Sequence, residues 1–170
     1  MTRIGLLSDT HCYLHARTFE FFAGCDEIWH AGDIGDLKTA EALNNFRPLK
    51  AVYGNIDGAD VRRVAPLVQA FYVEGVKVLM THIGGYPGRY EKGMKELFMK
   101  ERPGIFVTGH SHILKVMFDK KNDFLFINPG AAGKYGFHQS LTMVRFVIDG
   151  KAIKDLEVLD IPRDQSVRAV

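Results

Sequence analysis

Short apolar runs that stop abruptly at polar residues recur in the first third of the chain. Residues 4–7 read IGLL and end at Ser-Asp-Thr-His, while residues 27–31 and 49–53 are similar runs that end at Gly-Asp and Gly-Asn. Apolar runs bounded by polar turn residues are typical of buried strands. The pattern therefore predicts three strands, each followed directly by polar side chains.

Helical patterns separate these strands. Residues 37–46 space their apolar side chains near a helical period, and Asp36 precedes them as an N-cap. Residues 16–23 also have helical composition, and we expect Gly24 to end that helix as a C-terminal cap. Alternating strands and helices predict a mainly parallel sheet with right-handed crossovers in this half of the chain.

The second half of the chain consists mainly of predicted strands. They cover residues 69–74, 77–81, 105–108, 114–119, 124–127, 141–148 and 152–159. Residues 91–100 are predicted to be helical despite Gly93, and Asp149-Gly150 is a hairpin signal. So many strands predict an α/β fold with two stacked sheets flanked by helices. We expect a single domain over residues 1–161 and a loosely held tail over 162–170.

Composition narrows the class of protein. The chain has 170 residues, 46% of them hydrophobic, which is enough for one core without disulfides. A net charge of +2 from well-mixed charges gives no strong signal for nucleic acid, and no apolar stretch approaches the ~20 residues of a membrane span. Without a signal-peptide pattern, Cys12 and Cys25 are expected to be free thiols in a cytoplasmic protein.

Seven side chains with oxygen or nitrogen ligands follow five of the predicted strands. They are Asp9, His11, Asp33, Asn55, His82, His110 and His112. In open α/β sheets, ligands bind beyond the carboxyl ends of the strands. If the five strands are parallel neighbours, all seven side chains converge on one edge. Seven groups are too many for one tetrahedral ion but suit two ions that share a carboxylate.

The same residues form an ordered set of motifs. The set is D-x-H at 9–11, G-D at 32–33, G-N-x-D at 54–57, a single His82, and G-H-x-H at 109–112. In this order the motifs resemble those of the calcineurin-like metallophosphoesterases, and the length of the chain resembles their small YfcE-type phosphodiesterase branch. The INPGA segment at 127–131 is similar to the I-N-P-G-S segment of that branch.

The resemblance implies a four-layer αββα sandwich of two mixed sheets, with a metal site at the C-terminal strand ends. It implies that one ion is bound by Asp9, His11 and His112, a second by Asn55, His82 and His110, and that Asp33 bridges the two. A metal-held hydroxide would attack phosphorus, with Asp33, Asn55 and His110 positioning the metals and the phosphate. Nitrogen and oxygen ligands favour two divalent ions, Mn²⁺ first, with Zn, Fe, Co or Ni left open.

Two departures from the family pattern bear on the substrate. Ile56 stands where many members have the histidine of G-N-H-D, and isoleucine cannot protonate a leaving group. We therefore expect phosphodiesters with good leaving groups, such as aryl esters, to be preferred over phosphomonoesters. The loop after His82 carries Arg89, which we predict, together with Asn55, to contact the phosphate ester. The physiological substrate stays open.

Other interpretations remain at this stage. A scaffold or interaction protein could use the same fold, as in the retromer subunit that resembles this family. A metal-independent hydrolase could use Cys12 or Ser8 as nucleophile, although Cys12 is expected to pack rather than react. His15, His30 and His138 are expected to be structural or surface residues, although His138, which follows the glycine-rich segment 130–136, could also reach the site. A homo-oligomer also stays open, because the many strands could leave an edge to be covered.

Overall fold

The computed structural model describes residues 1–163 and contains four helices and twelve strands within that range. The helices are α1 (Ala16–Phe21), α2 (Leu37–Phe46), α3 (Ala59–Val64) and α4 (Met94–Glu101). The strands are β1 (Thr2–Leu7), β2 (Glu27–His30), β3 (Leu49–Ala51), β4 (Val68–Val73), β5 (Val76–Thr81), β6 (Gly85–Tyr86), β7 (Arg89–Tyr90), β8 (Ile105–Val107), β9 (Leu114–Asp119), β10 (Phe124–Pro129), β11 (Ser140–Asp149) and β12 (Ala152–Pro162). None of these helices is both long and apolar enough to cross a membrane.

The large strands form two five-stranded mixed sheets. Their orders are β12-β11-β1-β2-β3 and β4-β5-β8-β10-β9, while β6 and β7 form a separate hairpin. In the first sheet β1, β2 and β3 are parallel, and in the second β5, β8 and β10 are parallel. The remaining strands pair antiparallel at the edges. The two stacked mixed sheets are as predicted.

We expected the seven side chains to converge if the five strands that precede them are parallel neighbours. These five strands are not all neighbours in the structure. Three of them, β1 to β3, lie in one sheet, whereas β5 and β8 lie in the other. The division arises because β4 and β5 form a tight hairpin through Glu74, whose φ is 52°, and so begin a second sheet. The polar strand ends therefore meet across two sheets.

Buried side chains define four layers. Both sheets contribute to one core cluster, which includes Ile4, Leu6, Trp29, Val78, Met80, Ile105, Val107 and Phe146. The two sheets therefore pack face to face through these side chains. Outside the first sheet, Phe22 at the end of α1 packs in a second cluster with Leu43 of α2. Outside the second sheet, Phe98 of α4 packs on Phe106, with ring centroids 4.8 Å apart. The order helix, sheet, sheet, helix confirms the predicted sandwich.

Helix α2 was predicted correctly, whereas the predicted end of helix α1 was wrong. Helix α2 covers the predicted residues, and the side chain of Asp36 caps it by accepting a hydrogen bond from the Thr39 amide at 2.8 Å. Helix α1 ends at Phe21 with Phe22 as its C-cap, so the expected cap at Gly24 is wrong. Phe22 is fully buried against Gly5, where an added Cβ would lie 2.7 Å from the ring. A buried aromatic residue, rather than a glycine, therefore stands at the C-cap of α1.

The segment before α4 also differs from the prediction. Gly93 has a φ of 88°, which a helix interior does not allow, so α4 begins at Met94 instead of residue 91. The preceding residues form the β6–β7 hairpin, which the sequence pattern did not predict. The short helix α3 was also missed.

The end of the described chain is held more firmly than expected. Strand β12 extends to Pro162, which pairs with Ser140, and the Arg163 amide donates a hydrogen bond to the Gln139 carbonyl at 2.8 Å. Pro162 and Arg163 are thus fixed, although we predicted a tail from residue 162. The rest of that predicted tail, 164–170, lies outside the described residues.

Candidate metal centre

The carboxyl ends of strands from both sheets bring six of the predicted ligands together. Asp9 and His11 follow β1, Asp33 follows β2, His82 follows β5, and His110 and His112 follow β8. Their ligand atoms form two groups, and within each group these atoms lie within 4.8 Å of one another. The first ligand group is Asp9, His11 and His112, and the second is Asp33, His82 and His110.

Asp33 contacts both groups. Its Oδ2 lies 3.2 Å from His82 Nε2 in its own group and 3.7 Å from His11 Nε2 in the other. On the opposite side, Asp9 Oδ1 lies 3.1 Å from His112 Nε2 and 3.8 Å from His82 Nε2. The two groups are therefore adjacent, and each aspartate lies near a histidine of both groups. The bridging role of Asp33 stays a prediction.

Three ligand atoms are buried without a hydrogen-bond partner among residues 1–163. They are Asp9 Oδ1, His11 Nε2 and His82 Nε2. Leaving buried polar atoms unpaired costs about 1–3 kcal/mol each, so native structures rarely do so without a reason. A divalent ion would satisfy all three, because each atom can offer a lone pair. The residues present thus fit a metal centre by their chemistry and by their burial.

The backbone at these positions is unusual. Five of the ligand residues have φ in the left-handed region, which is uncommon for residues other than glycine. The values are 54° for Asp9, 47° for His11, 55° for Asp33, 68° for His110 and 59° for His112. Strain of this kind clusters at functional sites, where the surrounding structure enforces it. Its concentration here supports a functional role for the strand ends.

Glycines allow the loops to approach the ligands. A Cβ added to Gly54 would lie 2.0 Å from Asp33 Oδ1, and one added to Gly32 would lie 2.6 Å from His82 Nδ1. Real Cβ atoms essentially never come this close to another heavy atom, so a side chain at either position would displace a ligand. This explains physically why the G-D and G-N motifs need their glycines.

Hydrogen bonds aim several of the ligand atoms. His82 Nδ1 lies 2.7 Å from the Ala31 carbonyl, which can only accept, so Nδ1 carries the proton and Nε2 keeps its lone pair. Asp9 Oδ2 accepts from Ser8 Oγ at 2.6 Å and from the His110 amide at 3.1 Å. These contacts leave Asp9 Oδ1 and His82 Nε2 directed into the site.

The aspartates and histidines of the site shift each other's pKa toward the charged forms. Burial alone would raise the pKa of Asp9, but the adjacent imidazoles of His112 and His82 outweigh it and lower that pKa. The pKa of Asp33 is lowered in the same way, mainly by His82 against the effect of burial. Burial alone would lower the pKa of His82, yet Asp33 and Asp9 raise it. Both carboxylates are therefore ionised at neutral pH.

Asn55 lies on the solvent side of the second ligand group. It is exposed and shares with His82 a groove of about 320 Å³ that is lined mainly by apolar side chains, among them Leu67, Ile83 and Met94. Asn55 is thus beside His82, as the prediction of a shared ion requires. Its ligand role stays a prediction.

Arg89, the other predicted substrate contact, does not line either groove beside the ligand groups. Arg89 is exposed on β7. Within residues 1–163, it belongs neither to the lining of the groove at Asn55 nor to that of a second groove of about 200 Å³ beside Ser111. That second groove contains Lys115, whose Nζ lies 5.2 Å from the centre of the Tyr86 ring. Sequence reasoning missed Lys115, because no motif marks it. Substrate contact by Arg89 stays a prediction.

Two further histidines differ in their relation to the site. His30 is fully buried, its Nε2 is 2.9 Å from Thr10 Oγ1, and burial lowers its pKa to about 4, as suits the predicted structural role. His138, which we also expected to be structural, lies against a ligand, because its Nδ1 is 3.2 Å from His112 Nδ1. The glycine-rich segment before His138 left open that this residue reaches the site, but nothing in the sequence pointed to His112 as its partner.

The two candidate nucleophiles are poorly suited to attack. Ser8 is fully buried, and its hydroxyl donates to Asp9. Burial and the charge of Asp36 raise the pKa of the Cys12 thiol, whereas an activated cysteine needs a lowered pKa. These observations disfavour the metal-independent hydrolase.

Comparison with known sequences shows the family of the chain. A sequence model of the calcineurin-like phosphoesterase superfamily domain matches residues 2–151. A probable metallophosphoesterase of Methanocaldococcus jannaschii is 28% identical over 134 residues, which cover 75% of this chain and 67% of that protein.

Solved structures agree on the fold. An archaeal phosphodiesterase superposes with a TM-score of 0.67 at 20% identity, covering 92% of this chain and 99% of its own. Vps29 of Chaetomium thermophilum superposes with a TM-score of 0.77 at 16% identity, covering 97% of this chain and 90% of its own. At such low identities these similarities establish the shared fold.

Proposed function

Because the chain belongs to the calcineurin-like phosphoesterase superfamily, we propose that it is a dinuclear metal-dependent phosphoesterase that hydrolyses phosphodiesters. One observation carries the proposal: two groups of aspartate and histidine side chains lie side by side, and Asp33 contacts both. Asp9, His11 and His112 would hold one ion, while His82, His110 and Asn55 would hold the other.

Two divalent ions would activate the attacking water and neutralise charge on the phosphoryl oxygens. The residues of this chain fix that arrangement. Asp33 sets the spacing of the two ligand groups, and the Ile56 amide holds its Oδ1 at 3.0 Å. Asn55 and His110 are the exposed members of the set, so they are placed to orient an incoming phosphate. The buried members have no access to substrate except through the ions.

The open side of the centre favours an ester with a good leaving group. Ile56 is 45% exposed there and cannot protonate a departing alkoxide. The adjacent groove at Asn55 and His82 is lined mainly by apolar side chains, which suit the uncharged aryl group of such an ester. We therefore propose aryl phosphodiesters as good substrates and Mn²⁺ as the first ion to test.

Hydrolysis of bis(p-nitrophenyl) phosphate by metal-stripped protein during a Mn²⁺ titration tests the proposal. We expect activity to rise from zero and to saturate at two ions per chain. The monoester p-nitrophenyl phosphate serves as the comparison substrate and should be turned over more slowly. No turnover of the diester with two Mn²⁺ bound, or turnover that survives chelation, would contradict the proposal.

A second candidate is an interaction module that retains the fold. The observation that favours it is the presence of exposed apolar side chains directly beside predicted ligands in the sequence, namely Ile56, Ile83 and Ile113. Such residues can bind a protein as well as an ester group. Metal binding without turnover of any phosphate ester would favour this candidate.

A further inference from the structure

His138 lies in the loop between β10 and β11, directly behind the first ligand group. Its Nδ1 is 3.2 Å from His112 Nδ1, and its Nε2 is 2.8 Å from the Gly133 carbonyl. The two imidazole rings meet edge to face, with centroids 5.0 Å apart and planes at 82°. His138 therefore contacts the nitrogen of His112 that faces away from Asp9.

The hydrogen bonds determine where the protons lie. The Gly133 carbonyl can only accept, so His138 Nε2 carries a proton, and in the neutral ring Nδ1 is then an acceptor. His112 must donate from Nδ1 to complete the contact. Its Nε2 then keeps a lone pair, and this atom lies 3.1 Å from Asp9 Oδ1 in the first ligand group. This is the tautomer that a metal ligand requires.

The loop is built around this pair of rings. Gly136 has a φ of 123°, and an added Cβ would lie 2.3 Å from His112 Nδ1 and 3.0 Å from His138 Nδ1. The Arg163 guanidinium donates to the carbonyls of Gly136 and Lys134, both at 2.8 Å. The Gly133 amide donates to the Asp9 carbonyl at 3.0 Å. The loop is thus anchored to the strand end that carries the first ligands.

We propose that His138 is a positioning residue, which holds the ring and the tautomer of His112 so that Nε2 faces the first ion. The inference rests on the proposed metal centre. The second ligand group has its own equivalent, because the Ala31 carbonyl orients His82 in the same way. Partners of this kind around metal-binding histidines are typically worth about 10–100-fold in metal affinity.

Nitrogen NMR of the ¹⁵N-histidine-labelled, metal-stripped protein tests the proton arrangement without any activity. We expect His112 to be protonated at Nδ1 in the wild type. In His138→Phe, which keeps a ring but has no nitrogen, the Nε2-protonated form of His112 should increase. His112 protonated at Nε2 in the wild type, or an unchanged tautomer in the variant, would overturn the proposal.

Zn²⁺ titration by calorimetry tests the consequence for the metal. We expect His138→Phe to bind one of two ions about 10–100-fold more weakly and the other normally. His138→Asn, whose side-chain oxygen can accept the hydrogen bond, should recover much of this loss. His15→Phe, a histidine replaced away from the ligands, is the matched control and should bind as the wild type does. Wild-type affinity in His138→Phe would overturn the proposal.

These experiments distinguish a failure of this proposal from a failure of the proposed function. If wild-type protein binds two ions but hydrolyses no ester, the function fails, while the effect of His138 on Zn²⁺ affinity can still be measured. Melting of the metal-free variants shows whether each is folded. If His138→Phe does not fold, His138→Ala is compared with His138→Asn, and equal Zn²⁺ affinity of these two would overturn the proposal.

Discussion

The two ligand groups use the same residue types but differ in their surroundings. In the first, Asp9 is fully buried and His112 is backed by His138. In the second, His110 and Asn55 are exposed, and an apolar groove begins beside them. On the proposed function, this difference would divide the work between the groups: the first would hold its ion firmly, and the second would face the substrate.

Asp33→Asn tests the connection between the two groups. Because this carboxylate contacts both, we expect its loss to disturb both ions and to lower kcat/KM for the diester roughly 1000-fold, equivalent to about 4 kcal/mol. Steady-state kinetics with saturating Mn²⁺ measures the effect. A loss below about tenfold would mean that the groups work independently.

Gly54→Ala tests the packing behind the second group. The new Cβ would lie 2.0 Å from Asp33 Oδ1, so Asp33 must move, and we expect activity to fall about 100-fold. Gly24→Ala is the matched control, because Gly24 has open space around it among the described residues. Similar kinetics for both variants would contradict the close approach.

Ile56→His tests the open side of the second group. A histidine there can supply the missing general acid, so hydrolysis of alkyl phosphodiesters should rise by at least about tenfold. Esters of p-nitrophenol should change little, because that leaving group departs without protonation. Equal effects on both kinds of ester would argue against a leaving group at this position.

The pH dependence of metal binding tests the electrostatics of the second group. A histidine must be neutral to bind a metal ion. Because the pKa of His82 is raised above the usual histidine value of 6.5, protons compete with Zn²⁺ already at a pH above 6.5. Zn²⁺ affinity should fall about tenfold per unit as the pH decreases below this raised pKa. The stability of the metal-free protein depends on pH in the opposite sense. The stabilisation that protonated His82 contributes to the fold is lost as the pH rises through that raised pKa. Calorimetry from about pH 8.5 to about pH 5.5 measures the first effect, and a flat profile would contradict it.

Arg89→Ala has the smallest expected effect. If the exposed Arg89 contacts the phosphate, its removal should raise KM about threefold and leave kcat unchanged, since exposed charge pairs contribute roughly 0.2–1 kcal/mol. Lys115→Ala provides the comparison within the second groove. An unchanged KM in Arg89→Ala would exclude Arg89 as a substrate contact.

Local signals were sufficient to predict much of this molecule. Asp36 and the helix after it were predicted correctly because an N-cap acts on residues only three positions away. The six aspartate and histidine side chains that the fold brings together were predicted because each lies a few residues after the end of a strand. Such features depend on a few neighbouring residues.

Features that depend on distant packing were not predictable. The C-cap of α1 is Phe22, which packs on Gly5, and the second sheet begins where β4 and β5 form a hairpin. His138 contacts His112 across 26 positions of sequence, and no local pattern marks that contact. These contacts form only when the chain is folded.

A crystal structure of the Mn²⁺-loaded protein, with anomalous data at the manganese edge, tests the central claim most directly. The account predicts two peaks about 3.5–4 Å apart, one in each ligand group, with Asp33 between them. A single peak, or two peaks that do not share Asp33, would contradict it.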